Sequence, residues 1–221
     1  MEQREYTHPD VLGKGVTEGW ADPETDPTRI DWKARQMRAA IPFIVANRRP
    51  INPCERTGIR YGRNELGHWG EALCADAIVT ATDAGGTPRL LLIKRGDGHG
   101  WAVPGGKVEA NETPLDAAIR ELEEEAGVDL DIWSARDARV MPARYVPDPR
   151  ASDEAWMVTV PVLIHLGDNM CCLPWLAAAD DADDAKWVEA PDYAGLVDAL
   201  RREHGGEIFR AHQDMLRELL G

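Results

Sequence analysis

Hydrophobic and polar positions follow two periods along this chain, and the change of period marks its elements. Ala75 to Ala81 is apolar with β-branched residues, and Arg89 to Arg95 (RLLLIKR) is a second apolar run. Asp83-Ala-Gly-Gly86 between them is a turn, so the pair reads as a hairpin. Trp101 to Val103 is a short extended piece ahead of Pro104-Gly105-Gly106. From Thr113 to Ala126 the period becomes helical: Leu115, Ala118, Ile119, Leu122 and Ala126 form one stripe. Thr113 is the expected N-cap, with Pro114 at the first helical position and Asp116 three after the cap. Gly127 closes the helix. Beyond it the pattern predicts a strand at Val140 to Tyr145, a polar loop at Pro147 to Glu154 and a long strand from Trp156 to His165. An acidic loop at Asp180 to Asp184, a short strand at Lys186 to Glu189, and helices over Asp192 to Glu203 and Glu207 to Leu220 complete it.

Residues 1 to 68 carry little periodic signal and are punctuated by Gly13, Gly15, Pro23, Pro27, Pro50 and Pro53. A short helix is expected around Asp31 to Ala40. Trp20 and Trp32 argue that the segment packs on something and is not a free tail. The expected division is an irregular N-terminal attachment at 1–68, packed on a regular domain at 69–221.

The chain has 221 residues, with 25 Lys plus Arg against 39 Asp plus Glu, a formal charge of −14. With 43% hydrophobic and 29% charged residues it is a soluble globular type. The negative balance disfavours a polyanion partner, since nucleic-acid binding needs a basic surface. A small anionic substrate stays admissible, because a bound divalent cation inverts the local field. Cys54, Cys74, Cys171 and Cys172 make no CxxC pair and read as buried small hydrophobes in a reducing compartment. The N-terminus lacks a signal-peptide core, and no stretch approaches the ~20 apolar residues of a membrane span. A cytoplasmic protein with no nucleic-acid or membrane partner is expected.

The candidate chemistry sits on the helix. Glu121, Glu124 and Glu125 are related by i, i+3 and i+4, so they share a face, with the apolar stripe expected opposite. Their mutual repulsion is small in water and grows with dehydration. A divalent, oxygen-preferring cation would remove it. A solvated acidic helix face is the alternative. Glu112 ahead of the helix and Arg120 within it can pair and pin the loop, and Gly105 and Gly106 allow close backbone approach.

Gly106, Glu112, Arg120, Glu121, Leu122, Glu124, Glu125, Gly127 and Val128 spell G-x5-E-x7-R-E-(apolar)-x-E-E-x-G-(apolar). This is the signature of the Nudix hydrolases, which the chain resembles. The resemblance implies the Nudix fold, of class α/β (α+β): a mixed β-sheet sandwiched between helices, here with an irregular N-terminal attachment. It implies hydrolysis of a nucleoside diphosphate linked to another group. It makes Glu121, Glu124 and Glu125 metal ligands, joined by the carbonyl of Gly106, with Mg²⁺ or Mn²⁺ as cofactor. Arg120, paired with Glu112, would orient the carboxylates.

Segments outside the signature resemble the mitochondrial-type ADP-ribose pyrophosphatases of animals and the related ADP-ribose-binding domain of melastatin-type cation channels. They include Trp20-Ala-Asp-Pro23, Asn52-Pro53 with Arg56-Thr57-Gly58, Gly62-Arg63 with Leu66-Gly67 and Trp69-Gly70, Asp148-Pro149-Arg150 with Asp153 and Ala155-Trp156-Met157, and Lys186-Trp187-Val188. Cys54-Glu55 departs from a small pair in that group. Asp148 and Arg150 offer a carboxylate for ribose hydroxyls and a guanidinium for phosphate, ordered by Pro149. A turn closed by a local ion pair is the alternative. Arg95, at a strand end, is a phosphate-contact candidate, and Asp153 completes the candidate substrate contacts. Asp153, Glu154, Asp181, Glu124 and Glu125 are the candidates for general base. Tyr145 and Trp156 read as core, with adenine stacking as the alternative, and His165 and His204 as peripheral.

The resemblance thus implies an Mg²⁺-dependent ADP-ribose pyrophosphatase yielding AMP and ribose 5-phosphate, acting as a monomer or homodimer. The alternatives are a Nudix hydrolase acting on dinucleotide coenzymes, nucleotide sugars or nucleoside triphosphates, and a non-catalytic ADP-ribose-binding module.

Overall fold

The computed structural model describes residues 4–130, 135 and 137–221. The chain forms two compact units. The first takes the chain up to Cys74 together with Ala143–Thr159, and the second takes Ala75–Pro142 and Val160–Gly221. The division falls within two strands.

The first unit begins with β1 (Arg4–Thr7), the helical turns α1 (Pro9–Leu12) and α2 (Lys14–Thr17), and α3 (Trp32–Arg38). The strands β2 (Ile44–Ala46), β3 (Arg49–Ile51) and β4 (Arg60–Asn64) follow. β1 pairs in parallel with β4, and β2 and β3 form a hairpin. The hairpin turn places Asn47 and Arg48 at φ 51° and 62°, the left-handed conformation a two-residue turn demands at both positions. Asp31 caps α3 by accepting the Ala34 N–H at 3.0 Å. Elements this short leave no periodic signal, so the sequence reads as irregular. The unit is instead organised around Trp32, Phe43, Trp69, Trp156 and Val158. The Trp32 indole N–H donates to the Pro27 carbonyl at 2.9 Å, and that of Trp69 to the Glu24 carbonyl at 3.0 Å. Each ring therefore buries area and ties down a loop carbonyl at once.

β5 (Gly70–Thr82) and β6 (Pro88–Arg95) form the expected hairpin, with Thr80 opposite Leu90 and Thr82 opposite Pro88. β7 (Trp101–Ala102), β8 (Gly105–Lys107) and helix α4 (Pro114–Ala126) come next. They are followed by β9 (Arg139–Val140), β10 (Arg144–Val146), β11 (Ala155–His165), β12 (Ala182–Glu189), α5 (Tyr193–His204) and α6 (Arg210–Leu220). In the second unit the sheet order is β11-β5-β6-β12, with β7 on β6, β8 on β5 and β9 on β11. β10 pairs with the first part of β11 inside the first unit.

Two cores follow from the strand period of two. Ala77, Val79, Leu91 and Ile93 face α4, packing on Ala117, Ala118, Leu122 and Ala126. Ile78, Leu90, Leu92 and Val188 point the other way, onto Leu196, Ala199 and Leu200 of α5 and Met215 and Leu216 of α6. The expected mixed sheet between helices is thereby present.

Several expectations are corrected. The strand at Val140 to Tyr145 splits into β9 and β10, because Pro142 has no N–H to continue a ladder. The acidic loop gives way to strand from Ala182 onward, since β12 lies at an end of the sheet order, where charged residues reach water. α6 begins at Arg210, not Glu207: the backbone at 207–209 is engaged by Trp101, whose N–H donates to the Glu207 carbonyl at 2.8 Å. Cys54, Cys171 and Cys172 are exposed and Cys74 half-buried, so the cysteines are not core residues.

α4 carries the complete capping box. Thr113 Oγ1 accepts the Asp116 N–H at 3.2 Å, and Asp116 Oδ2 accepts the Thr113 N–H at 3.1 Å. Gly127 ends the helix in the left-handed conformation, φ 69°. Thr113→Ala is expected to lower stability by about 1 kcal/mol in urea unfolding, with Thr113→Ser near wild type. Equal midpoints for Ala and wild type would show that the cap does not hold the helix.

Candidate active site

The three candidate glutamates of α4 do not share one solvated face. Glu121 and Glu125 are buried, whereas Glu124 is exposed, as are Asp116 and Glu123, so the helix sinks two acids along with its apolar stripe. Arg120 is the counter-charge of Glu121 and Glu124. Its Nη1 donates to Glu121 Oε1 at 2.8 Å and to Glu124 Oε2 at 2.9 Å. Its Nε and Nη2 hold Glu112 at 2.9 and 3.1 Å, and Nη2 also donates to the Lys107 carbonyl at 2.9 Å. Glu112 in turn accepts the Glu109 N–H at 2.9 Å. One guanidinium thus pins the 107–112 loop to the helix and spans two acids. Its hydrogen bonds to Glu112 come first in holding that carboxyl below its usual range.

Glu125 has no such cation among the described residues. Its Oε2 accepts the Gly105 N–H at 2.8 Å, and its carboxyl meets that of Asp181. Burial, then the bond to Asp181, pushes the Glu125 carboxyl up to about 9. Burial also raises Glu121, against the pull of Arg120. Two buried carboxyls on one helix, Glu121 beside a guanidinium and Glu125 against another carboxyl, are a donor set suited to a hard divalent cation. Gly106 fits the same purpose. A Cβ there would fall 2.2 Å from a Glu121 carboxylate oxygen, so only glycine leaves that carboxylate its place against the backbone. Among the described residues no group of three acids is closed around a metal position, and Arg120 Nη1 stands between Glu121 and Glu124.

Arg95 lies in the same unit. Its guanidinium pairs with Asp97, which comes first in raising its pKa, and rests 4.6 Å from the Phe209 ring centroid. Asp181 and Glu125 contribute to its field.

Asp148, Arg150 and Asp153 belong to the first unit. Arg150 Nε and Nη2 reach both oxygens of Asp148, at 2.9 and 2.7 Å, and the Arg150 N–H closes the turn on Oδ1 at 2.7 Å. Asp153 is buried. Its Oδ1 accepts Thr57 N–H and Oγ1–H at 2.6 and 2.8 Å, and its Oδ2 accepts Gly58 N–H at 2.7 Å. Glu154, also buried, binds Arg49 with both oxygens and accepts the Gly62 N–H at 2.7 Å. The structure therefore brings Gly106, Glu112, Arg120, Glu121, Glu124 and Glu125 together, with Arg95 and Asp181 in the field of Glu125. The Gly105 amide has no sequence signal beyond the glycine itself.

A family model of the NUDIX domain matches residues 72–209. "Putative nudix hydrolase 6" of Caenorhabditis elegans is 35% identical over 84% of this chain and 79% of its own length. "ADP-ribose pyrophosphatase, mitochondrial" of Rattus norvegicus is 31% identical over 89% of this chain, which spans 66% of that protein. Among solved structures, a bifunctional NMN adenylyltransferase/ADP ribose pyrophosphatase of Francisella tularensis, complexed with AMP and a manganese ion, aligns at a TM-score of 0.50. It is 25% identical over 70% of this chain and 43% of that one.

Proposed function

Because this chain belongs to the Nudix family of hydrolases, we propose that it hydrolyses ADP-ribose to AMP and ribose 5-phosphate with Mg²⁺, or Mn²⁺ in its place. The observation that carries the chemistry is the pair of buried carboxyls, Glu121 held by Arg120 and Glu125 set against Asp181. The observation that favours ADP-ribose is the reach of the similarity to the rat enzyme. It covers 89% of this chain and so extends beyond residues 72–209.

Glu121, Glu124 and Glu125, with the Gly106 carbonyl, would hold the cation. Once bound, it supplies Lewis acidity toward the pyrophosphate and lowers the pKa of a water. The remaining work falls to the protein. Arg120 releases or shares Glu121 and Glu124 while keeping Glu112 and the 107–112 loop in place. Asp181, in contact with Glu125, is the acid best placed to take a proton there. Asp153 and Glu154 already spend their oxygens on backbone amides and Arg49. Arg95 is placed to receive phosphate if it exchanges Asp97 for it. In the first unit Arg150, held by Asp148, is a candidate anion contact.

The deciding experiment is a panel of ADP-ribose, NADH, a nucleotide sugar, a diadenosine polyphosphate and a dNTP with Mg²⁺, followed by product separation. AMP released from ADP-ribose well ahead of the others is the expected result. Turnover of another compound keeps the hydrolase and replaces the substrate. ADP-ribose binding without turnover of any would make the protein a binding module. Arg150→Ala is expected to raise KM for ADP-ribose about 10-fold, the ~1.4 kcal/mol of one charge-assisted contact. Mn²⁺ affinity should stay unchanged. Wild-type kinetics at low substrate would remove Arg150 from the site.

A further inference from the structure

We propose that His212 is a positioning residue for the carboxylate cluster: it holds the Val103–Gly105 stretch, and that stretch holds Glu125. The inference rests on the Nudix reading only for the role of Glu125. His212 lies in the first turn of α6, buried at 9% exposure. Its Nδ1 accepts the Val103 N–H at 3.3 Å, and its Nε2 lies 3.7 Å from Oδ1 of buried Asp76. An imidazole that accepts at Nδ1 is the neutral tautomer carrying its proton on Nε2, so it turns an N–H toward a carboxylate. Burial lowers the pKa of the ring and keeps it in that form.

Asp76 passes the constraint on. A Cβ at Gly105 would meet Asp76 Oδ1 at 2.5 Å and the Ala75 carbonyl at 2.6 Å, so Gly105 lies flat on β5 only because it has no side chain. The Ala77 N–H donates to the Pro104 carbonyl at 2.8 Å, fixing the same stretch. With the chain pressed into this position, the Gly105 N–H reaches Glu125 at 2.8 Å. The same turn also backs Arg95. Phe209 stands edge-on to His212 at 5.2 Å between centroids, and carries the Arg95 guanidinium on its ring. One end of α6 thus braces both Glu125 and the candidate phosphate contact.

The test uses three variants that differ in where an acceptor sits. His212→Asn places an amide oxygen at the position of Nδ1, His212→Gln carries its polar group one bond further out, and His212→Leu has none. Three readouts apply to the full chain: deuterium exchange of the Gly105 amide, Mn²⁺ affinity of the free protein by electron paramagnetic resonance, and kcat and KM on whichever panel substrate the wild type hydrolyses. For Leu and Gln, Gly105 exchange should accelerate and Mn²⁺ affinity should fall, each about 10-fold, and kcat should fall about 10- to 100-fold with KM within twofold. Asn should retain all three within threefold. A folded Leu variant with wild-type Gly105 protection and Mn²⁺ affinity would overturn the proposal, as would an Asn variant that loses as much as Leu. If Leu does not fold, the contrast of Asn with Gln decides in the same way. A wild type that turns over no panel substrate, with the exchange and Mn²⁺ pattern intact, would sink the functional reading and leave the positioning role standing.

Discussion

Glu125→Gln is expected to abolish turnover while leaving the fold as stable as wild type at pH 7. Replacing partners that merely orient metal ligands costs about 10- to 100-fold, so loss of a ligand oxygen should cost more than about 100-fold in kcat. Stability should not follow. Without metal, the Glu125 carboxyl is pushed up to about 9, so at pH 7 it is mostly protonated, and glutamine is its near-isostere. The amide oxygen can still accept the Gly105 N–H. The pH dependence separates the two states. A carboxyl whose folded pKa is raised binds its proton more tightly in the native state, so stability falls as pH rises from the ordinary carboxylate range near 4.5 to about 9. Metal-free wild type should therefore show a midpoint of thermal unfolding that declines across that window. The Gln variant should lack this contribution, and added Mg²⁺ should flatten the wild-type profile. A Gln variant with turnover within a few-fold of wild type would remove Glu125 from the ligand set. One that is unfolded at pH 7 would show that the carboxyl is structural.

The second unit is largely legible in the sequence. The β5–β6 hairpin, the capping box of α4 and the two C-terminal helices are local decisions, set by period, turn residues and caps. What periodicity misplaced were the burial of Glu121 and Glu125 and the start of α6. A helix-face argument assumes acids face water, whereas Arg120 and the Gly105 amide accompany these inward. The first residues expected in α6 have their backbone engaged by Trp101, a partner far away in sequence. His212 shares the stripe of Met215 and Leu216 at i+3 and i+4, so nothing in the period sets it apart from a core position. Its acceptor role is visible only once Val103 is seen opposite it. The first unit was the least legible. Its order comes from tryptophan indoles and side-chain carboxylates that bind backbone over long separations, and no periodicity announces them.

Asp153→Ala carries the second large effect, and it is expected on stability. The carboxylate accepts three hydrogen bonds, two from Thr57 and one from the Gly58 amide, which holds the 57–58 turn with Gly58 at φ 71°. Its backbone adds two more, accepting from Asn52 and donating to Arg60, and these survive the substitution. Hydrogen bonds to a charged acceptor contribute about 1.5–3 kcal/mol each and are not additive when shared, so a loss of about 3–5 kcal/mol is expected. That is a large share of the ~5–15 kcal/mol typical of a domain. Asp153→Asn should lose about half as much. One oxygen still accepts from Thr57, but the amide nitrogen then faces the Gly58 N–H, donor against donor. Urea unfolding of both variants reads the order Asp, Asn, Ala. If Asp153 only holds the loop, kcat and KM of the folded fraction stay within about threefold of wild type. The opposite pattern, wild-type midpoints with KM raised 10-fold or more, would make Asp153 a substrate contact and the Thr57–Gly58 turn incidental to it.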